Sequence, residues 1–155
     1  MEARIEGKWL TALLGALFAI FSSACLGEGE IDRNRIGACP PSPNCVSSRS
    51  ADRDRYIGPL QVRVTSDKAW ESLKASLAEE ERIRVVEEVR GDGYLRAEAT
   101  SLVFGFVDDI ELQILPEDHL IHLRSASRVG YWDLGVNRRR LERIAGRMRE
   151  AGSIK

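Results

Sequence analysis

The sequence predicts an α+β domain: an antiparallel sheet laid out as strand, helix, four strands, helix, with the two helices gathered on one face. Three observations predict it. Several stretches alternate apolar and polar residues, two others place apolar residues at helical spacing, and two turn signals each join neighbouring strands into a hairpin.

In residues 59–65, Leu60, Val62 and Val64 alternate with polar side chains, which predicts the first strand. Thr65 or Ser66 can cap a helix, in which Trp70, Leu73 and Leu77 fall on one stripe. IRVVEEV (83–89) and YLRAEAT (94–100) flank Arg90-Gly91-Asp92-Gly93, whose Asp-Gly is a hairpin signal. FVDDIELQIL (106–115) and HLIHLRSASR (119–128) are joined by Pro116-Glu117-Asp118. With Glu117 and Asp118 at the tip, Ile114 faces Ile121 and Leu112 faces Leu123 on the core side. On the other side Glu111 then meets Arg124, a favourable cross-strand pair, and Gln113 meets His122. The same register sets Asp108 opposite Ser127 on the inner face, where polar groups need partners. Asn137 is suited to cap a last helix, with Val136 and Leu141 as a hydrophobic staple and Leu141, Ile144, Ala145 and Met148 as its apolar face.

Ahead of this body, residues 1–8 carry two basic and two acidic side chains, and WLTALLGALFAIF (9–21) has no charge. Ser22, Ser23 and Ala24 give a small-residue exit, so residues 1–24 read as an export signal or membrane anchor. The uncharged run continues to Leu26, long enough for an uncleaved span. A buried N-terminal helix is the plainer alternative. Cys25 after Ala24 resembles the lipobox of bacterial lipoproteins, although Ser22 stands where leucine is usual and Glu2 and Glu6 weaken the positive start. Residues 25–38 are polar and glycine-containing, as in a tether, and 39–155 form one domain.

Export bears on the cysteines. With Cys25 lipidated or in the membrane, CPPSPNC leaves Cys39 and Cys45 to pair in an oxidising space. Zinc would need further ligands, and only His119 and His122 are on offer besides carboxylates. Three apart on a strand, those histidines point to opposite faces. Free thiols are the third reading; no C-x-x-C redox spacing is present. No cofactor is implied.

The 23 Lys and Arg nearly cancel the 24 Asp and Glu, leaving a net charge of −1, which argues against nucleic acid as a partner. Locally the last helix is basic, with Arg138, Arg139, Arg140, Arg143, Arg147 and Arg149. A solvated face explains it; anionic lipid is the sharper reading.

CPPSPNCVSS, SLVFGFVDDIELQ and IHLRSASRVGYWDLGVNRRRLE together resemble the bacterial and plastid family catalogued as domain of unknown function 1499, over roughly residues 39–148. The resemblance implies that the paired cysteines, the F-V-D-D strand and the R-S-A-S-R-x-G-x-x-D-L-G-x-N-R segment belong together. Here Tyr131-Trp132 replaces the family's usual tyrosine-serine before D-L-G. The family brings no agreed activity, so it supplies no catalytic residue.

Site candidates therefore rest on residue chemistry. Asp108 and Asp109 alternate across a strand and cannot act as a dyad. Arg124, Arg128, Asp133 and Arg138 cluster in sequence near them, and a charge-assisted network tying hairpin to helix is the plain reading. The functional reading is a polar or anionic ligand held by Arg128 and Arg138 and oriented by Asp108, Ser127 and Tyr131. Ser47 and Ser48 lack a nucleophile elbow. The expectation is a non-enzymatic, membrane-tethered envelope module facing the periplasm or exterior. It would bind a partner protein, lipid headgroup or polar ligand through Asp108, Arg124, Arg128 and Tyr131. A hydrolase or transferase with Asp108 as general base, and a purely architectural protein, are the alternatives.

Overall fold

A computed structural model describes residues 31–155. Its elements run β1 (Cys45–Ser47), β2 (Leu60–Gln61), α1 (Ser66–Ala78), β3 (Ile83–Val89), β4 (Tyr94–Thr100), β5 (Val107–Leu115), β6 (Leu120–Ser127) and α2 (Val136–Glu150). The strands form one six-stranded antiparallel sheet in the order β1-β6-β5-β4-β3, with β2 also on β6. Both short strands lie on the outer edge of β6: Leu60 pairs with Ile121, Cys45 with Ala126.

The expected α+β class and hairpin register hold. Ile114 faces Ile121, Leu112 faces Leu123, Glu111 faces Arg124 and Asp108 faces Ser127. Side chains alternate, so Ile110, Leu112, Ile114, Ile121 and Leu123 line one face and pack against Trp70, Leu73 and Leu77 of α1 and Leu141, Ile144 and Met148 of α2. Burying each such side chain contributes about 1.5–3 kcal/mol, which makes this layer the main source of stability. Thr65 Oγ1 caps α1 by accepting the Lys68 N–H at 3.5 Å. Where the helices meet, Glu80 accepts from Arg143 at 2.7 and 3.0 Å and from Arg147 at 2.6 Å.

Three local expectations change. The strand expected over 59–65 pairs with β6 only at Leu60 and Gln61, because the next residues bond the C-terminal tail instead: Arg63 N–H donates to Ser153 O and Lys155 N–H to Gln61 O, each at 2.9 Å. Cys45–Ser47 adds a strand that was not expected. Asn137 is not the cap of α2; the helix begins after Gly135, and Asn137 is fully buried inside it. Asp133 supplies the capping acceptor, taking the Gly135 and Asn137 N–H groups at 2.9 Å.

The sheet's second face is covered too. Residues 31–38, the described end of the expected tether, lie along it. Arg35 bonds Glu87 at 2.7 Å and Asp92 at 2.8 Å, its guanidinium sits 4.5 Å from the Tyr94 ring centroid, and Ile36 is buried. Beneath this strap Tyr94 donates to Glu111 at 3.0 Å, and burial beside that carboxylate pushes the phenol pKa up.

Candidate functional site

The sheet divides the expected site residues into two groups. On the helix side, Asp108 Oδ2 accepts from Arg140 Nη2 at 2.7 Å, and Arg140 Nη1 reaches Asn137 Oδ1 at 2.8 Å and Ser125 Oγ at 3.2 Å. Asn137 Nδ2 donates to Ser127 Oγ and to Asn44 O, both at 3.1 Å, and Asn44 Nδ2 donates to Gly130 O at 2.7 Å. Asp108, Ser125, Asn137 and Arg140 are all buried. This closed network ties β1, β5, β6, α2 and the loop between the last two.

On the other side, Arg128 lays its fork on Asp109 at 2.8 and 2.9 Å and also bonds Glu98 at 2.5 Å. That fork outweighs burial and holds the Asp109 carboxyl below its usual range. Arg124 pairs with Glu111 at 2.5 Å. Thus Asp108 and Ser127 are together, Arg124 and Arg128 are together, and the sheet separates the pairs.

The rest go elsewhere. Arg138 donates to the backbone carbonyls of Asp54 and Tyr56 at 3.0 and 2.9 Å, and Asp133 caps α2. Ser48 Oγ accepts the Leu123 N–H at 3.0 Å and is hydrogen-bonded with His122 Nδ1, also at 3.0 Å. Cys39 and Cys45 form the disulfide, with Cα atoms 5.7 Å apart. Cys25 lies outside the described residues. In the basic helix, Arg140, Arg143 and Arg147 are paired with Asp108, Glu80 and Glu79, so the expected cationic face is largely neutralised.

Tyr131 belongs to a different arrangement, one that the polar candidates did not reveal. The β4–β5 loop presents Leu102, Val103, Phe104 and Phe106, and the β6–α2 loop presents Val129, Tyr131, Trp132 and Leu134, followed by Val136. All are exposed, Phe104 and Trp132 at 74% and Leu134 at 81%. Antiparallel pairing puts both loops at one end of the sheet, where Arg128 N–H donates to Val107 O at 3.0 Å. Apart from Tyr56, these are the exposed large apolar residues among those described. Phe104 and Phe106 stack with centroids 5.4 Å apart, and the Tyr131 and Trp132 rings lie at 6.2 Å. Leu134 has φ of +52°, a left-handed conformation uncommon for a bulky residue, at the point where the preceding Asp133 carboxylate reaches past it to accept the Gly135 N–H. The sequence signal was the apolar run SLVFGF in a loop, where polar residues are the rule.

The fold is therefore an antiparallel sheet with two helices on one face, a strap on the other, and an apolar tip built from two loops. The family described as "Protein of unknown function (DUF1499)" matches residues 35–148, and the chain belongs to it. No curated protein and no solved structure matches. Among the described residues no helix is long and apolar enough to cross a membrane.

Proposed function

We propose that the chain is an exported, membrane-tethered module that binds rather than catalyses, with the apolar tip as its contact surface. The observation that carries this reading is the set of exposed residues Leu102, Val103, Phe104, Phe106, Tyr131, Trp132 and Leu134, carried on two loops at the same end of the sheet. Large apolar patches mark interaction sites on soluble domains. The polar candidates support it by contrast. Asp108 is engaged by Arg140, and Arg128 by Asp109 and Glu98, so both act in holding the tip in place. The tether reading is supported by the uncharged run 9–21 and Cys25, and the oxidising location by the Cys39–Cys45 bond.

The test is photo-crosslinking in intact cells from Phe104 and from Trp132, each replaced by a photoreactive residue, with Lys74 on α1 as control. Adducts with protein or lipid are expected from the tip positions and not from Lys74. Equal labelling at all three positions, or none at the tip, overturns the assignment.

A further inference from the structure

We infer that a second copy of this chain docks on the tip through a closed two-fold contact; the inference rests on the tip being the binding surface. The amount of apolar surface fits. The nine large apolar residues of the two loops and the first position of α2 are 40–81% exposed, from Val136 to Leu134. A ring covers ~150–250 Å² when buried and an aliphatic side chain roughly 100 Å², so together they offer on the order of 800 Å². Each partner in a stable protein–protein contact buries about 800 Å². The tip therefore supplies one half of a dimer interface by itself.

Charge lets the tip meet its own copy. Within residues 101–106 and 129–136 the only charged side chain is Asp133, and its carboxylate already accepts the Gly135 and Asn137 N–H groups. Around the loops Arg128, Arg138 and Arg139 are balanced by Glu98, Asp109 and Asp133, so no net charge drives two tips apart. The centre of a subunit contact is rich in rings and poor in Lys and Glu. These loops carry four rings and neither Lys nor Glu.

Symmetry follows from what the rest of the surface lacks. Apart from Tyr56, no other large apolar side chain among the described residues is exposed, so a head-to-tail contact has no second apolar patch to use. A tip on a tip is the same patch twice, and it closes at two copies. Each tip also carries two ring pairs on different loops, Phe104 with Phe106 at 5.4 Å and Tyr131 with Trp132 at 6.2 Å between centroids. Under a two-fold axis, the first pair of one copy faces the second pair of the other, and the reverse contact comes with it.

The experiment places a photoreactive residue at Phe104 or Trp132 of the full chain in intact cells that also make a differently tagged copy. Adducts of twice the chain's mass are expected, with position 104 joined to the tryptic peptide 129–138 of the other copy. Self-association of the full chain in detergent, followed by sedimentation, should weaken at least ~100-fold in Phe104→Ser with Trp132→Ser while the melting temperature holds. Tip adducts to other proteins or to lipid, with none between copies, overturn the second copy and leave the tip as binding surface. No adducts from the tip overturn both readings. Self-association that ignores the tip substitutions puts the contact elsewhere and overturns the inference. If the double variant unfolds, the adduct map decides: position 104 joined only to peptides outside 129–138 overturns the two-fold contact.

Discussion

Arg140 Nη2 lies 2.7 Å from Asp108 Oδ2, and both side chains are withdrawn from water between β5 and α2. The pair joins helix to sheet directly beneath the tip. Breaking one partner strands a buried charge, so Arg140→Ala should lower unfolding free energy by about 3–5 kcal/mol. Replacing both, Asp108→Leu with Arg140→Met, should cost less than that single change. Urea denaturation of the three variants measures this; a double variant worse than Arg140→Ala would mean that the pair is not what stabilises the joint.

Gly93 closes the β3–β4 hairpin with φ of +60°, and an added Cβ would press into the backbone carbonyl of Ile114 on β5. Gly91, two residues earlier, has open space where its Cβ would be. Gly93→Ala is expected to destabilise by more than about 1 kcal/mol and Gly91→Ala to stay within about 0.5 kcal/mol. Thermal melts of the two variants side by side test the contrast.

Burial pulls the Glu80 carboxyl up, but the hydrogen bonds from Arg143 and Arg147 outweigh it and hold its pKa below the ordinary 4.5. The unfolded chain therefore takes up this proton first on acidification. The contribution to stability is full above the ordinary value and is lost as pH falls through the depressed one. Stability measured along an acid series should fall less steeply in Glu80→Gln than in the parent. Parallel acid limbs would show that Glu80 is not linked to folding.

The Cys39–Cys45 loop is short and stiffened by Pro40, Pro41 and Pro43, so reduction should remove only about 1–2 kcal/mol. Intact-mass measurement of membrane-derived protein, with and without reductant, should give a gain of two hydrogens on reduction and a mature chain starting at a lipidated Cys25. A chain that retains Met1 and free thiols would contradict the export and the lipidation of Cys25.

Where residues carried a pattern on both faces, the fold was legible. The β5–β6 register followed from Leu112 opposite Leu123 and Glu111 opposite Arg124 together, and either slip would have broken both. Cys45–Ser47 was not legible, because three residues have no period and their extended form is imposed by β6. Glu111 and Gln113 read as solvent-facing until the strap is in place, and only Ile36 and the Arg35–Tyr94 contact reveal what covers them. The candidate site was legible as a neighbourhood and not as an arrangement. Asn137 and Arg140 join Asp108, while Arg128 lies beyond the sheet. Sequence proximity carries no information about which side of a strand's end a following arginine takes.

The outer edge of β6 is completed by β1 and β2, segments that lie some way back along the chain and leave the ribosome first. The four-strand meander from β3 to β6 needs only near neighbours, whereas these two pieces wait for the last strand before they have anything to pair with. Early-synthesised residues are then the late finishers of assembly, since distant contacts form slowly. Until those two segments dock, the outer edge of β6 stays unguarded.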